Sequence, residues 1–258
     1  MRRFKLGRRR PVLGPRFSFR NYMSGPIHVP QGGNYAPAAE ASLSNVYLND
    51  TLGDCVIAGM AHIEGVLSGN AGAEVLYTDQ QITAAYSAIG GYVPGDPSTD
   101  DGCDEVTALN HWLNKGFLNG AHKIAGWMTV DATNPYEYKA AMYLFENLLF
   151  GVDLPDEWIT PMPSESGFFW DDVGPADPNN GHAFVGVGWG KTGVVIDSWG
   201  MTGYITDSAI QKYAGYADGG NLYTVLSADG IARASARAPN GFDFAQLLAD
   251  FKKMGGRA

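Results

Sequence analysis

One cysteine, one histidine and one aspartate stand where they could share a proton. Cys55 closes a turn-forming run, Asn49-Asp50-Thr51-Leu52-Gly53-Asp54. Apolar residues follow at 56, 57, 60, 63 and 67, the spacing of one helix face. That pattern puts the thiol at a helix N-terminus, where unpaired N–H groups and the helix dipole favour a thiolate. A thiolate can attack a carbonyl carbon when a base takes its proton and an acceptor orients that base. The same position suits an ordinary buried cysteine, which packs as a small apolar residue.

His182 and Asp197 are the candidates for base and acceptor. His182 begins the alternating run Gly181-His182-Ala183-Phe184-Val185-Gly186-Val187-Gly188-Trp189-Gly190, and Asp197 ends Val194-Val195-Ile196-Asp197. The turn at 190–193 folds these runs into a hairpin that sets Asp197 opposite Val185 or Gly186. That is about 10 Å along the strand from His182, so a bulge or twist is needed to bring the two together. His62 is seven residues beyond Cys55 on the same helix face, about 10 Å along the axis and too far for a hydrogen bond. It reads as structural, and His28, His111 and His122 have no motif around them.

Several elements must position these groups. The pattern predicts helices over 55–68, 79–89, 104–115 and 135–148. Strands are predicted over 148–154, 182–189, 193–196, 203–206 and 221–226. A last helix carries Phe244, Leu247, Leu248 and Phe251 on one face, with Asp243 as its cap. A helical half followed by a β-rich half, with no long linker, argues an α+β fold. The organisation reads as an extended arm (1–44), a main domain (45–230) and a C-terminal helical extension (231–258). The arm's Phe4, Phe17, Phe19 and Tyr22 can anchor it on a partner or on its own body.

The chain has 258 residues, 45% hydrophobic and 17% charged, which is globular, and it holds no apolar run long enough to cross a membrane. Its N-terminus is Arg-rich without the apolar core of an export signal. Two cysteines make no disulfide framework and point to a reducing compartment, although a Cys55–Cys103 bridge would abolish the nucleophile. Nothing implies a metal or cofactor. Gly186–Thr192 lacks the spacing of a phosphate-binding loop, and the acidic run 96–102 lacks the positions of a calcium loop. Charge is lopsided: the arm holds eight bases (Arg2, Arg3, Lys5, Arg8, Arg9, Arg10, Arg16, Arg20) and no acid before Glu40. Ten bases against 27 acids remain beyond it, a net charge of −17. A basic arm on an acidic body implies a partner for the arm, either nucleic acid or an acidic protein surface.

Taken together, these segments resemble the papain-like cysteine peptidases. Asn49 through Cys55 is similar to that family's nucleophile segment, Gly181–Gly188 to its histidine strand, and Asp197-Ser198-Trp199-Gly200 with Gly203-Tyr204-Ile205 to its Asn-Ser-Trp-Gly segment and following strand. Gly102-Cys103 and Phe150-Gly151-Val152-Asp153 are weaker echoes. The resemblance covers about residues 45–228. It implies a two-lobed fold in which Cys55 heads the central helix and attacks an amide or thioester. His182 is then base and acid, Asp197 orients it, and Asn49 with the Cys55 N–H binds the oxyanion. The chain departs from the family's pattern: Asp197 stands for Asn, Asn49 for Gln, Val56 for Trp, and Leu52 for a bridging cysteine. Asp54, beside Cys55, carries a charge that opposes a thiolate.

The Gly-Asp-Cys segment, Tyr143-Leu144-Phe145 and Gly241-Phe242-Asp243-Phe244 also resemble papain-like proteins encoded by bacteriophages and prophages. That implies a structural or accessory component of a virion. In such a particle the arm (1–44), and the C-terminal helix with it, would dock on neighbouring virion proteins. An active papain-like cysteine peptidase or amidase acting on a peptide, and nucleic-acid contact through the arm, are the alternatives. Away from a particle the chain is expected in the cytoplasm.

Overall fold

Most helices begin where a side chain can take up a free backbone N–H. The computed structural model describes residues 4–11, 17–118, 122–238 and 240–253. Helix α1 (Glu40–Leu43) leads to α2 (Cys55–Asn70), α3 (Asp79–Gly90) and α4 (Glu105–Lys115). Thr78 and Gln81 form a reciprocal capping box at α3, and Asp104 accepts from Thr107 N at α4. Helix α5 (Pro135–Phe145) is capped by Asn134 and stops three residues short of its expected end. Glu146 there turns to φ 70°, and its carboxylate is gripped by Arg233 and Arg237. Short α6 (Asp156–Ile159) and α7 (Asp207–Tyr213) precede α8 (Ala228–Arg237) and α9 (Phe244–Lys253).

The strands are β1 (Gly33–Asn34), β2 (Gly126–Thr129), β3 (Leu148–Asp153), β4 (Phe168–Trp170), β5 (Gly181–Gly190), β6 (Gly193–Ser198), β7 (Met201–Thr206) and β8 (Asn221–Leu226). They form one sheet in the order β2-β8-β3-β5-β6-β7-β4, with β1 added to β5. All pairs are antiparallel except β4 with β7. Helices α1–α4 gather on one face of this sheet and α5–α9 on the other, each over its own apolar core. Period-2 alternation decides which core a strand residue joins. Ala183, Val185 and Val187 of β5 face α2, while Phe184 faces α5. A Cβ on Gly59 of α2 would sit 3.1 Å from Leu149, so the missing side chain lets that helix lie close on β3.

The fold is therefore α+β, with a helical first half and a largely antiparallel second half. Strand β2 and the short helices α6 and α7 were not expected from the sequence, nor was α8, although Ser227 caps it and Ile231 and Ala234 line its buried face. The arm and the C-terminal extension share the body's core. Phe19, Tyr22, Phe242, Leu247 and Phe251 are all buried in one cluster, and Phe17 packs on Phe251 at 5.3 Å between ring centroids. Asp243 Oδ1 accepts from Gln246 N, capping α9.

Candidate active site

Cys55 is the first residue of α2 and only 1% exposed. Backbone hydrogen bonds from Ala183 and Gly7 reach its sulfur and favour a thiolate, but burial outweighs them and pushes the thiol up to about 12. Asp54, just before it, is fully buried, and burial raises its carboxyl well above the usual range. That shift toward the neutral form weakens the charge expected to oppose the thiolate. Cys55 and Cys103 are both free thiols.

His182 sits at the start of β5, one residue before the Ala183 backbone that touches the thiol. Its Nε2 lies 2.8 Å from Ser198 Oγ. Its ring stacks on Trp199 at 4.3 Å. Its Nδ1 is buried without a hydrogen-bond partner, so no bond joins it to the thiol in this closed state. Burial, aided by the nearby Arg8 charge, lowers the imidazole to about 3 and keeps it neutral.

Asp197 does not orient His182. It pairs with Val185 across the hairpin, as expected, which turns its carboxylate to the α2 face while His182 and Ser198 share the opposite face. The hairpin does carry a bulge, at Gly186/Gly188, but that lies between this pair and the turn and leaves the parity unchanged. The Asp197 carboxylate lies 3.5 Å from His62 Nδ1, and His62 Nε2 lies 2.9 Å from Asn45 O. Burial drives both partners toward neutrality, raising Asp197 and lowering His62 to about 4. Ser198 is the group that sequence reasoning passed over. Its signal was parity: if 185 faces 197, then 184 faces 198, and 182 shares the face of 184.

Asn49 has a different task from the one expected of it. Its Nδ2 donates to Asp54 Oδ1 and to Leu52 O, each at 3.3 Å, which ties the loop before α2 to the helix start. Asp100, in the acidic run, also pins this loop, accepting from Gly53 N at 2.9 Å and from Tyr86 OH at 2.7 Å.

Over this site lies the chain's own arm. Phe4 stacks on Trp199 at 4.9 Å, completing a pile of three rings with His182. Lys5 pairs with Asp100. Gly7 O accepts from Cys103 N at 3.1 Å, Arg8 N donates to Gly181 O at 3.1 Å, and Arg9 N to Cys103 O at 3.0 Å. A Cβ on Gly7 would fall 1.8 Å from Gly53 O, so only glycine passes there. The Arg8 side chain is fully buried against Glu105 and Asp153. The arm's order thus has a sufficient cause within the chain. Beyond Phe4 a hollow stays open, lined by Ser44, Asn45, Asp50, Ser164 and Trp199.

No protein-family model matches this sequence, and no curated protein matches it. Solved structures do match in shape. Xylellain, a cysteine protease from Xylella fastidiosa, superposes with a TM-score of 0.62 at 12% identity, covering 88% of this chain and 98% of its own. The digestive procathepsin L2 proteinase of Tenebrio molitor larval midgut gives 0.55 at 12% identity, covering 78% and 69%. A structure from work on the mite allergens Blo t 1 and Der p 1 gives 0.54 at 12% identity, covering 81% and 76%. At such identities the likeness is one of fold, and the fold is papain-like.

Proposed function

We propose that this papain-like chain is a cysteine hydrolase held closed by its own N-terminal arm, a latent form of the peptidase or amidase that its nucleophile segment suggests. The observation that carries this reading is the unpartnered Nδ1 of a buried histidine. One nitrogen of His182 is fixed by Ser198 and the ring is clamped by Trp199, while the other, one residue from the thiol's backbone contact, has no partner. A buried polar atom without a partner costs free energy, and use of that atom in chemistry accounts for its being kept.

With the arm displaced, water reaches Cys55 and His182 and the Arg8 charge leaves. Rehydration raises the imidazole's basicity and lowers the thiol's pKa, and loss of the Arg8 charge raises the imidazole's basicity further. His182 Nδ1 then takes the thiol proton. The sulfur bonds to a substrate carbonyl carbon, the amide C–N bond breaks, and the proton passes to the leaving nitrogen. Water, deprotonated by the same imidazole, cleaves the thioester and restores the thiol. The arm itself escapes cleavage because Gly7 presents its N–H to the sulfur and turns its carbonyl to Cys103.

The test is a thiol-reactive acyl probe on the full-length chain. Arg8→Ala should label at Cys55 at least ~10-fold faster than wild type, and Cys55→Ala should not label. Equal labelling of Arg8→Ala and wild type would sink the latent-enzyme reading. The virion reading called for a partner for the basic arm; the arm's contacts with this cleft supply one within the chain, and no other described feature favours a particle or a nucleic acid.

A further inference from the structure

The arm shows what the cleft can recognise. Beside Cys55 the body leaves a gap shaped for one side chain, and Arg8 fills it. Its Nε lies 2.5 Å from Glu105 Oε1, its Nη1 3.1 Å from Asp153 Oδ1 and its Nη2 2.9 Å from the Gly219 carbonyl. Three acceptors from three elements meet one guanidinium, whose fixed fork of donors suits such an arrangement. The space exists because residue 151 is glycine: a Cβ there would lie 1.7 Å from Glu105 Oε1 and 2.6 Å from Arg8 Nε. The second oxygen of Glu105 is fully buried and still has no partner. Two buried acids held by a removable part of the chain are expensive for a fold that needs only a plug, since an apolar side chain would seal the gap without desolvating charge.

We propose that this gap is a binding subsite for arginine, and that the cleft takes basic peptides in which a glycine adjoins the arginine. The glycine follows from the passage at Gly53, which has no room for a Cβ on the bound strand. On the hydrolase reading above, such peptides are the substrate class, bound so that a carbonyl rather than an N–H meets Cys55. The arm is then a resident ligand in an unproductive pose, and a basic peptide is what displaces it. Arg10, paired with Asp153 from the exposed side, extends the same preference to a second base.

The experiment is protection of Cys55 from iodoacetamide in the full-length Arg8→Ala chain. Two peptides are compared: N-acetyl-Leu-Gly-Arg-amide and its citrulline analogue, which keeps the shape and loses the charge. The arginine peptide should protect at concentrations ~10-fold lower or better, the worth of charge-assisted hydrogen bonds. Adding Glu105→Gln should erase that difference. Should Arg8→Ala not fold, Gly7→Ala opens the passage from the other side and carries the same comparison. Equal protection by both peptides, protection by neither, or a Cys55 that stays unreactive in both variants overturns the proposal. Protection needs no turnover, so the two readings fail separately. Arginine preference without hydrolysis removes the enzyme and keeps the subsite, whereas hydrolysis without preference does the reverse.

Discussion

Two buried histidines lie on opposite faces of the same hairpin, and they are not equivalent. His62 has both nitrogens accounted for, one against Asn45 O and one facing Asp197. His182 has one nitrogen on Ser198 and one on nothing. Both are neutral, and both lie against an aromatic ring, His62 tilted on Tyr47 and His182 stacked on Trp199. The difference lies in satisfaction. A histidine bonded to Asn45 O is a structural tie between α2 and the loop before it, whereas one with an idle buried nitrogen, a residue away from the thiol's backbone contact, is the candidate to accept a proton.

The largest expected effects separate the two directly. In the Arg8→Ala chain, His182→Ala should lower the Cys55 acylation rate by ~10²-fold or more, the scale of a lost general base. His62→Ala should leave that rate within about threefold and cost about 2–4 kcal/mol of stability, because it opens a cavity and removes the bond to Asn45 O. Urea midpoints and labelling rates on both variants check this, and a reversal of the two outcomes would exchange the roles.

Acid titration sharpens the comparison next. Folding lowers His62 to about 4 and His182 to about 3 from an ordinary 6.5. Between those values the unfolded chain binds more protons, so stability is whole above about pH 6.5 and falls as pH drops toward 4 and 3. His62→Gln should flatten that limb by on the order of 2–3 kcal/mol in urea midpoints between pH 7 and 4. Asp197 has the opposite sign. Its carboxyl is raised above 3.8, so the folded chain binds the extra proton and loses stability as pH rises past that value. Asp197→Asn should therefore stabilise the chain at pH 8 relative to pH 5.

The smallest effects decide which residue holds the His182 imidazole. Ser198→Ala removes one hydrogen bond, and in the Arg8→Ala chain should slow acylation by ~3–10-fold. Asp197→Asn should change it less than twofold. A larger loss from Asp197→Asn than from Ser198→Ala would restore Asp197 as the orienting group.

Local elements were legible because local rules set them. The boundaries of α2, α3, α4 and β8 follow from caps and periodicity, and the segments around Cys55 and His182 were found by type and order. Asp197 was misassigned as the orienting group because a strand has period two. Two adjacent residues, Asp197 and Ser198, face opposite cores, and choosing between them takes the register of the hairpin rather than the composition of the motif. Asn49, expected at the oxyanion, here donates to Asp54 Oδ1 and Leu52 O, a local pairing that its place in the sequence does not announce. The arm's destination was hidden for another reason. Arg8 meets Glu105 and Asp153 across 97 and 145 positions, and only the folded sheet brings them together. The hint was there in an acid closing an otherwise apolar β3.

The arm also sets an order of events during synthesis. Arg8 is made before its last acceptor, the Gly219 carbonyl, which comes 211 positions later. A ribosome adding ~5–20 residues per second reaches that position only after ~10–40 seconds. Throughout that interval Arg8 lacks its full set of acceptors, so its seat is completed late in folding.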